Sequence, residues 1–370
     1  MQKAVFVSVL KPVDDIRLFQ KIAQAWKEAN YEIHSIGFEA SVQNFSSIFF
    51  YPIFNFKRLN IKRLFAGCLV FYYLLLIRPQ HIVCSSIEAL PFCIFFKIYT
   101  LGKTKVFYDV QENYYLNILH TKVYPKILRY PLAWVIRSVE WFCSFFVTYF
   151  FLAEQCYVKE LNFLGKKFII LENKPLQRFF QESTPPPLTV RKFALVGTIA
   201  EEYGIWKALS VFDKIQHYEP DSQLLIHGKC AKKDLYEKLK NLQDRHVVCK
   251  ISEKPVHYED IIRAMKLADA ILMPYEINKS YEKRIPTKFY EAMALNKWII
   301  VSDNYFWQKF FIKMNYLKVF FLDFDSLDIA LDLYELLEVT AQNSEYQNYV
   351  VQEDLFWEHE QKKLSQVIQF

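Results

Sequence analysis

Hydrophobic and polar positions follow a repeating cycle along this chain, in which a short apolar run precedes an amphipathic stretch. Residues 4–9 are apolar except for Ser8, and such a run predicts a strand buried on both faces. The next apolar residues recur at helical spacing and predict an amphipathic helix: Ile16, Phe19, Ile22, Ala23 and Trp26. The cycle then repeats to the end of the chain, so alternating strands and helices are expected throughout.

The same pattern sets the expected elements of each half. Strands are predicted at 3–9, 31–37, 81–85, 104–109, 145–152 and 167–171, then at 192–197, 222–228, 246–251, 269–274, 298–302 and 317–322. Further helices are predicted at 59–77, 88–100, 123–142 and 153–163, then at 204–217, 231–244, 257–267, 286–296 and 325–340. Strands that alternate with helices imply mainly parallel sheets covered by helices.

A break in the cycle divides the chain. Asn-Lys-Pro at 173–175 and Ser-Thr-Pro-Pro-Pro at 183–187 form its only proline-rich segment, and consecutive prolines disfavour helices and central strands. We therefore expect an α/β protein of two Rossmann-like, doubly wound domains that face each other across a cleft. The expected parts are a domain at 1–172, a linker at 173–190, a second domain at 191–344 and a terminal helix at 345–370 that packs back toward the first domain.

The charge distribution sets the two halves apart. The net charge is +6, but residues 1–172 carry 20 Lys and Arg against 12 Asp and Glu, while the remainder carries 26 against 28. The basic half is also the aromatic half. This asymmetry favours an anionic ligand or membrane surface on the first domain, and it is equally compatible with a solvated basic surface.

Several classes of protein are disfavoured. The seven cysteines include no CxxC pair and no Cys/His cluster with zinc spacing, which indicates reduced thiols in a cytoplasmic protein. No secretory signal is predicted, and the longest apolar run, residues 64–77, is shorter than the roughly 20 residues that span a bilayer. No nucleic-acid-binding motif is present.

The segment 284–295 carries the most informative chemistry. Pro286 suits the first turn of a helix, which places Thr287, Lys288 and Glu291 near a helix N-terminus. Unpaired N–H groups and the helix dipole suit a diphosphate, Lys288 and Arg284 add positive charge, and Glu291 can accept hydrogen bonds from ribose hydroxyls. The simpler alternative is a glutamate placed favourably near the helix dipole beside a solvated lysine.

This segment resembles the donor-binding segment of family 4 retaining glycosyltransferases of the GT-B fold, in the variant Arg-x-Pro-Thr-Lys-x-x-Glu. Other pieces resemble that family in the same order along the chain: residues 11–17, 108–113, 173–175, 196–205, 226–228 and 356–358. The resemblance implies transfer of a hexose or N-acetylhexosamine from a nucleotide-sugar donor to a glycan or polyprenyl-linked acceptor, with retention. It also implies a place in bacterial surface polysaccharide or glycan assembly.

The resemblance also implies residue roles. Donor-binding residues would be Gly197, Thr198, His227, Arg284, Thr287, Lys288 and Glu291. His227 has the alternative of a satisfied core or surface histidine. The acceptor side would hold Asp15, Arg17 and Glu112, and the catalytic candidates are Glu112, Asp109 and Asp15.

Two departures from the family pattern bear on activity. Lys283 stands where the family has the first of two glutamates, and Gln111 stands where it often has a histidine. Gln111 cannot act as a general base, so only Glu112 or Asp109 remains for that role. Two alternatives stay open: a catalytically impaired homologue that acts as a binding or partner subunit, and another enzyme of the same two-domain architecture, either a nucleotide-sugar 2-epimerase or a phosphorylase.

No metal is expected. Asp323-Phe324-Asp325 is similar to the Asp-x-Asp metal motif of the other large glycosyltransferase fold, but it lies late in the second domain, between a strand and a helix. A turn followed by a helix N-cap explains it better.

Basic and aromatic residues are interleaved in 45–77 and 91–151, as in helices that lie in a membrane interface. We therefore predict a cytoplasmic protein that associates peripherally with the inner membrane face. Buried aromatic residues with a solvated basic rim are the alternative. The basic residues of these stretches are Lys57, Arg58, Lys62, Arg63, Lys97, Lys103, Lys105, Lys122, Lys126, Arg129 and Arg137.

Overall fold

The structure is a computed structural model that describes residues 1–40, 47–56, 60–120, 124–180, 190–326, 333 and 349–368. The chain divides into two compact units, one formed by Met1–Asn173 with Trp357–Phe370 and the other by Lys174–Phe356. Each unit is built on one parallel sheet. Within the described residues, no helix is long and apolar enough to cross a bilayer.

The first unit contains a seven-stranded sheet in the order β3-β2-β1-β4-β5-β6-β7. Its strands are β1 (Lys3–Pro12), β2 (Glu32–Phe38), β3 (Ile48–Phe54), β4 (His81–Cys84), β5 (Lys105–Val110), β6 (Tyr149–Leu152) and β7 (Phe168–Ile170). Strand β1 pairs with β2 on one side and β4 on the other, so both of its edges are hydrogen-bonded, and helices pack on both faces of the sheet. Its continuous apolar run is therefore fully buried, as the sequence predicts.

Helices cover both faces of this sheet. One face carries α2 (Ala66–Ile77), α3 (Leu90–Tyr99) and α5 (Lys126–Ser144), which share a core with the sheet. On the other face, Trp26 packs edge-on against Phe6 and Phe107 and donates a hydrogen bond to His81 Nδ1 at 2.9 Å. The remaining helical elements are a π-helix (Ile16–Ala23), α1 (Gln24–Glu28), a 3-10 turn (Ile61–Phe65), α4 (Tyr114–His120), α6 (Tyr157–Glu160) and α12 (Trp357–Ile368).

The second unit contains a six-stranded sheet in the order β10-β9-β8-β11-β12-β13. Its strands are β8 (Lys192–Thr198), β9 (Gln223–Lys229), β10 (Val247–Ser252), β11 (Ala270–Met273), β12 (Trp298–Ser302) and β13 (Val319–Leu322). Its helices are α7 (Ile205–Tyr218), α8 (Lys233–Asn241), α9 (Tyr258–Leu267), α10 (Thr287–Ala294) and α11 (Tyr305–Lys313), with 3-10 turns at Gln177–Phe179, Glu201–Tyr203 and Glu353–Leu355. A separate hydrophobic core lies on each face of the sheet.

The strand order confirms the predicted doubly wound α/β architecture. In the second sheet the chain winds from β8 to β9 and β10, then returns to the other side of β8 with β11. The order reverses between β8 and β11, and this reversal is the topological switch point. Open parallel sheets bind ligands outside the carboxyl ends of the strands at such a point.

Most predicted elements are present, with instructive exceptions. Strand β3 was not predicted, because Pro52 and a nearly unbroken apolar run hide its alternation; the proline is tolerated because β3 is an edge strand. Helices α4 and α11 were also missed. The strand expected at 145–152 begins only at Tyr149, because α5 extends to Ser144. The expected helix at 325–340 and the prolines at 185–187 fall outside the described residues, apart from 325, 326 and 333.

Candidate functional site

A cavity of about 210 Å³ opens at the switch point of the second unit. Strands β8 and β11 supply one part of its wall, and the start of α10 supplies another. Its lining residues are Leu195, Val196, Thr198, Tyr203, Leu272, Met273, Tyr275, Pro286, Thr287 and Lys288. The cavity therefore combines the edge of a parallel sheet with the N-terminus of a helix, the two features that favour an anionic ligand.

Helix α10 begins where the sequence predicts. Pro286 is its N-cap, and the proline side chain accepts no hydrogen bond from the first-turn N–H groups. The helix is anchored from behind by Phe289, which packs edge-on against Trp307 with ring centroids 5.3 Å apart. Because the N-terminal turn carries the positive end of the helix dipole, the wall formed by Pro286, Thr287 and Lys288 attracts negative charge.

Lys288 lies directly over Gly197 at the end of β8. A Cβ atom at Gly197 would lie 2.4 Å from Lys288 Nζ, and the φ angle of Gly197 is +101°, which side chains rarely adopt. Glycine therefore meets both a steric and a backbone requirement here. Among the described residues, the Lys288 ammonium has no hydrogen bond or ion pair, so a full positive charge stands uncompensated in the cavity wall.

Glu291 lies one helical turn beyond Thr287 and is 2% exposed. Its Oε1 atom accepts a hydrogen bond of 2.8 Å from the hydroxyl of Tyr258, whereas its Oε2 atom is buried with no partner among the described residues. A buried carboxylate oxygen without a donor is costly, so a hydroxyl that donated to Oε2 would stabilise it.

Burial and the nearby Glu291 carboxylate raise the pKa values of two tyrosines. Burial first, and then the Glu291 carboxylate, raise the pKa of Tyr258 well above its usual value. Burial, Tyr203 and Glu291 likewise raise the pKa of Tyr275, which lines the cavity. Both phenols therefore remain protonated near neutral pH. Glu291 follows Thr287, which lines the cavity, by one turn of the same helix.

Arg284 and its loop are tied to neighbouring elements. The guanidinium lies 5.3 Å from the Tyr281 ring and donates to Ser280 Oγ at 3.2 Å. The backbone oxygen of Arg284 accepts a hydrogen bond from Trp307 Nε1 at 2.8 Å. Lys283, at the position of the missing glutamate, is exposed and 3.8 Å from a Glu282 carboxylate oxygen. Neither of these two residues lines the cavity.

His227 lies on β9 beside Val196 of β8, and it is not among the residues that line the cavity. Both ring nitrogens are shielded from solvent and lack a hydrogen-bond partner among the described residues. Burial lowers the pKa of this histidine, and the nearby Asp260 opposes that shift. The ring is therefore neutral near pH 7. Its predicted role in donor binding stays a prediction.

The acceptor-side candidates lie in the first unit. Asp109 is fully buried, and Arg17 donates to it from Nε at 3.1 Å and 3.2 Å and from a terminal nitrogen at 2.7 Å. The same arginine donates to the Leu171 backbone oxygen at 2.9 Å. Gln111 also donates to Asp109 Oδ2 at 2.6 Å. Lys11 in turn donates to the Gln111 side chain. This geometry favours a positioning role for Asp109, and its catalytic role stays a prediction.

Asp15 and Glu112 occupy less enclosed positions. Asp15 is the N-cap of the π-helix and accepts from the backbone N–H groups of Arg17 and Leu18 at 3.1 Å and 2.8 Å. Glu112 is half-buried, and its Oε2 accepts from Asn117 at 2.6 Å. Of the three catalytic candidates, Asp15 and Glu112 each retain a carboxylate oxygen for which no hydrogen bond is recorded among the described residues, whereas both oxygens of Asp109 accept one.

Sequence reasoning missed the Tyr258 contact and a buried cluster around Glu140. Burial raises the pKa of Glu140 to about 7, despite a hydrogen bond from Tyr108 and the Arg137 guanidinium 3.2 Å away. That ion pair is close but poorly aligned as a hydrogen bond. No spacing signal joins these residues, because Tyr108 and Glu140 lie on a strand and a helix 32 residues apart.

Metal ligation has no support in the described residues, where no group of three or more His, Cys, Asp or Glu side chains could hold an ion. Metal independence itself stays a prediction. Asp323 forms the expected turn, and its Oδ1 accepts from the Asp325 backbone at 3.0 Å. Asp325 pairs with Lys207 at 2.7 Å.

Comparison with known protein families identifies a match in the part of the chain that contains the cavity. Residues 177–350 match the family model described as Glycosyl transferases group 1. The matched residues lie within the second unit. The matched residues include every residue that lines the switch-point cavity, together with Glu291 and Tyr258. No curated protein sequence matches the chain.

Solved structures share the fold of the whole chain at low sequence identity. Sucrose-phosphate synthase from Thermosynechococcus elongatus has a TM-score of 0.69 at 11% identity, and the match covers 100% of this chain and 98% of that protein. Anabaena HepE in complex with UDP and glucose has a TM-score of 0.63 at 9% identity, with 100% of both chains covered. WaaG, a glycosyltransferase involved in lipopolysaccharide biosynthesis, has a TM-score of 0.64 at 12% identity, with 98% and 95% covered. The expected GT-B fold is thereby confirmed.

Proposed function

We propose that this protein is a glycosyltransferase that takes a hexose or N-acetylhexosamine from a nucleotide-sugar donor. The observation that carries the proposal is the Oε2 atom of buried Glu291 and the ammonium of Lys288, neither of which has a partner among the described residues, together with the N-terminus of α10. A nucleoside diphosphate offers the matching groups, since its ribose donates hydroxyls and its phosphates carry negative charge. The group 1 family match supports the same conclusion.

Different residues of the proposed donor site contact different parts of the nucleotide-sugar. Glu291 accepts from the ribose, while Lys288, Arg284 and the first N–H groups of α10 hold the diphosphate. Gly197 allows the backbone to approach the phosphates, and Thr198 and Thr287 offer hydroxyls. As the bond between C1 of the sugar and the phosphate oxygen breaks, negative charge grows on the leaving diphosphate. Lys288 and the helix dipole stabilise that charge.

We propose that the reaction retains the anomeric configuration and needs no metal. The acceptor hydroxyl oxygen bonds to C1 on the face that the leaving phosphate vacates, and its proton passes to that phosphate. The protein then contributes mainly positioning and charge stabilisation. Glu112 and Asp15 serve the acceptor, and Asp109 holds the Arg17 side chain in position.

For the acceptor we propose a glycan or a polyprenyl-linked saccharide, used in bacterial surface polysaccharide or glycan assembly at the inner membrane face. The similarity in fold to WaaG is compatible with this role. The basic and aromatic character of the first unit supports a peripheral membrane location.

A thermal-shift screen tests the donor site. The protein is heated with UDP-, GDP-, ADP- and CMP-sugars without metal, in parallel with Glu291→Ala and with Lys238→Met, which changes an exposed lysine of α8 as a control. We expect stabilisation by one nucleotide class, lost in Glu291→Ala and kept in the control. No shift with any donor would favour the impaired homologue. Conversion of the free nucleotide-sugar to its C2 epimer would favour the 2-epimerase.

A further inference from the structure

The first unit exposes an extended apolar surface on the layer formed by α2, α3 and α5. The inner sides of these helices are buried, with Val70 and Leu74 of α2, Phe96 of α3 and Cys143 of α5 in one core. Their outer sides are apolar as well. A helix that needed only to cover a sheet would carry polar residues there, so the pattern requires another explanation.

The outer side chains form what is called here the exposed apolar face. Leu69, at 38%, is the least exposed of them. The face consists of Phe65, Leu69, Tyr72, Leu76, Phe95, Ile98, Tyr99, Leu101, Ile127, Leu128, Tyr130, Trp134, Val135, Trp141, Phe142 and Phe145. Soluble monomers rarely expose apolar patches beyond a few hundred Å², and a larger one marks a binding surface.

Neighbouring helices make this face continuous. The ring of Phe71 on α2 lies 5.2 Å from that of Phe95 on α3. Lys97 of α3 extends to the Phe146 backbone oxygen just after α5, at 2.7 Å. The face is therefore one surface rather than three separate stripes.

The charged residues around the exposed apolar face favour an anionic lipid surface over a second copy of the chain as its partner. Helices α2 and α3 contain no acidic residue, and the single acidic residue of α5, Glu140, is 1% exposed. Exposed basic residues stand at the ends of the layer: Lys62, Arg78, Lys103 and Lys126. A second copy of the chain would bring like charges together around its rim, whereas anionic lipid headgroups would neutralise them.

The aromatic residues fit the same partner. Tyr72, Tyr99, Tyr130, Trp134 and Trp141 present rings with a polar atom on a surface otherwise made of Leu, Ile, Val and Phe. Tyrosine and tryptophan concentrate where hydrocarbon meets headgroups, because one part of each ring system is apolar and another forms hydrogen bonds. A membrane interface offers both environments to a single surface.

We propose that the outer surface of α2, α3 and α5 docks on an anionic lipid leaflet, with the apolar side chains in the headgroup and acyl boundary. The inference rests on the peripheral location proposed above and specifies its surface. It does not depend on donor binding. Lys57, Arg58 and Lys122, expected to belong to the same basic set, lie outside the described residues.

The test measures partition of the full-length protein onto vesicles. Vesicles of phosphatidylcholine alone are compared with equal parts of phosphatidylcholine and phosphatidylglycerol, at about 0.1 M and about 1 M salt. The face variant is Tyr72→Ser, Phe95→Ser and Phe142→Ser combined. The matched control is Leu267→Ser, Tyr305→Ser and Ile312→Ser, which removes three comparably exposed apolar side chains of the second unit.

We expect the wild type to bind the anionic vesicles, and to bind neutral vesicles and high-salt samples more weakly. The face variant should bind about tenfold more weakly or worse, and the control should stay within about twofold of the wild type. Equal binding by the face variant and the wild type would overturn the assignment of the surface. No binding by the wild type would overturn peripheral association itself.

Two further readouts separate the remaining outcomes. The nucleotide-dependent thermal shift of the face variant should equal that of the wild type, which shows that the fold and the donor site are intact. Sedimentation velocity without lipid identifies a second copy as the occupant. A concentration-dependent dimer that the face substitutions abolish, with no vesicle binding by the wild type, would overturn the proposal.

Discussion

Replacing Gly197 by alanine should disturb the donor site through Lys288. The new Cβ atom would lie 2.4 Å from Nζ and 2.7 Å from Cε of Lys288, whereas ordinary contacts begin near 3.4 Å. Since the obstacle is the end of a flexible side chain, the ammonium moves by about 1 Å or more and the fold survives. The positive φ angle adds a cost of about 1–2 kcal/mol to folding.

The effect on donor binding follows from the contact that is lost. A hydrogen bond between a charged pair contributes about 1.5–3 kcal/mol, so displacing Lys288 should weaken donor binding by about 10- to 150-fold. Lys288→Met should weaken it by a similar factor. If Gly197→Ala acts through Lys288, the double variant should bind little worse than Lys288→Met alone.

The double-mutant cycle compares the wild type, Gly197→Ala, Lys288→Met and the double variant. Each protein is titrated by calorimetry with the nucleotide-sugar that stabilises the wild type in the thermal-shift screen. A cost for Gly197→Ala below about 0.5 kcal/mol in the Lys288→Met background would support coupling. An equal cost in both backgrounds would refute the coupling to Lys288, because Gly197 would then act on the nucleotide-sugar only through the close approach of its own backbone.

Three further changes test other parts of the structure. Tyr258→Phe removes the hydroxyl that donates a 2.8 Å hydrogen bond to Glu291. The binding free energy of the nucleotide-sugar should therefore weaken by about 1–3 kcal/mol in titration calorimetry, with no loss in the Tyr236→Phe control. Arg17→Met leaves Asp109 buried without its ion pair and should destabilise the protein by about 3–5 kcal/mol in urea unfolding, whereas the exposed Lys27→Met should change little. Glu140→Gln should remove part of the pH dependence of stability, measured by urea unfolding from pH 5 to pH 8.

The sign of the Glu140 effect follows from its raised pKa. In the folded protein the pKa of this carboxyl is about 7, above its ordinary value of 4.5, so the folded state binds the proton more tightly than the unfolded chain. That stabilisation is complete below pH 4.5 and is lost as the pH rises through 7. The difference between the two pKa values corresponds to about 3 kcal/mol of folding stability. The wild type should lose this stability as the pH rises, and Glu140→Gln should not. An unchanged slope in the variant would contradict the assignment.

The proposed donor site is more predictable from the sequence than the proposed acceptor side. Local signals were sufficient for α10, since Pro286 and the apolar residues after it mark its start and buried face. Lys288 and Glu291 then follow from position within one helix. Tyr258 could not be found this way, because its contact with Glu291 depends on how α9 and α10 pack on one sheet, 33 residues apart.

The acceptor side shows why paired charges escape sequence reasoning. Asp109 is an ionisable residue just before Gln111, which made it a candidate base. Its partner Arg17 lies 92 residues earlier, and only the return of the chain to the centre of the sheet joins them. Strand β3 was missed for a different reason, since Pro52 is acceptable only at a sheet edge and edge position is a property of the whole sheet.

The most direct test of the donor site is calorimetric titration of the responsive nucleotide-sugar into the wild type and Glu291→Gln. The account predicts one binding site per chain, with affinity reduced by about tenfold or more in Glu291→Gln, because a neutral amide replaces the charged acceptor for the ribose hydroxyls. Equal affinities in the two proteins would contradict the assignment of the buried carboxylate as a donor ligand.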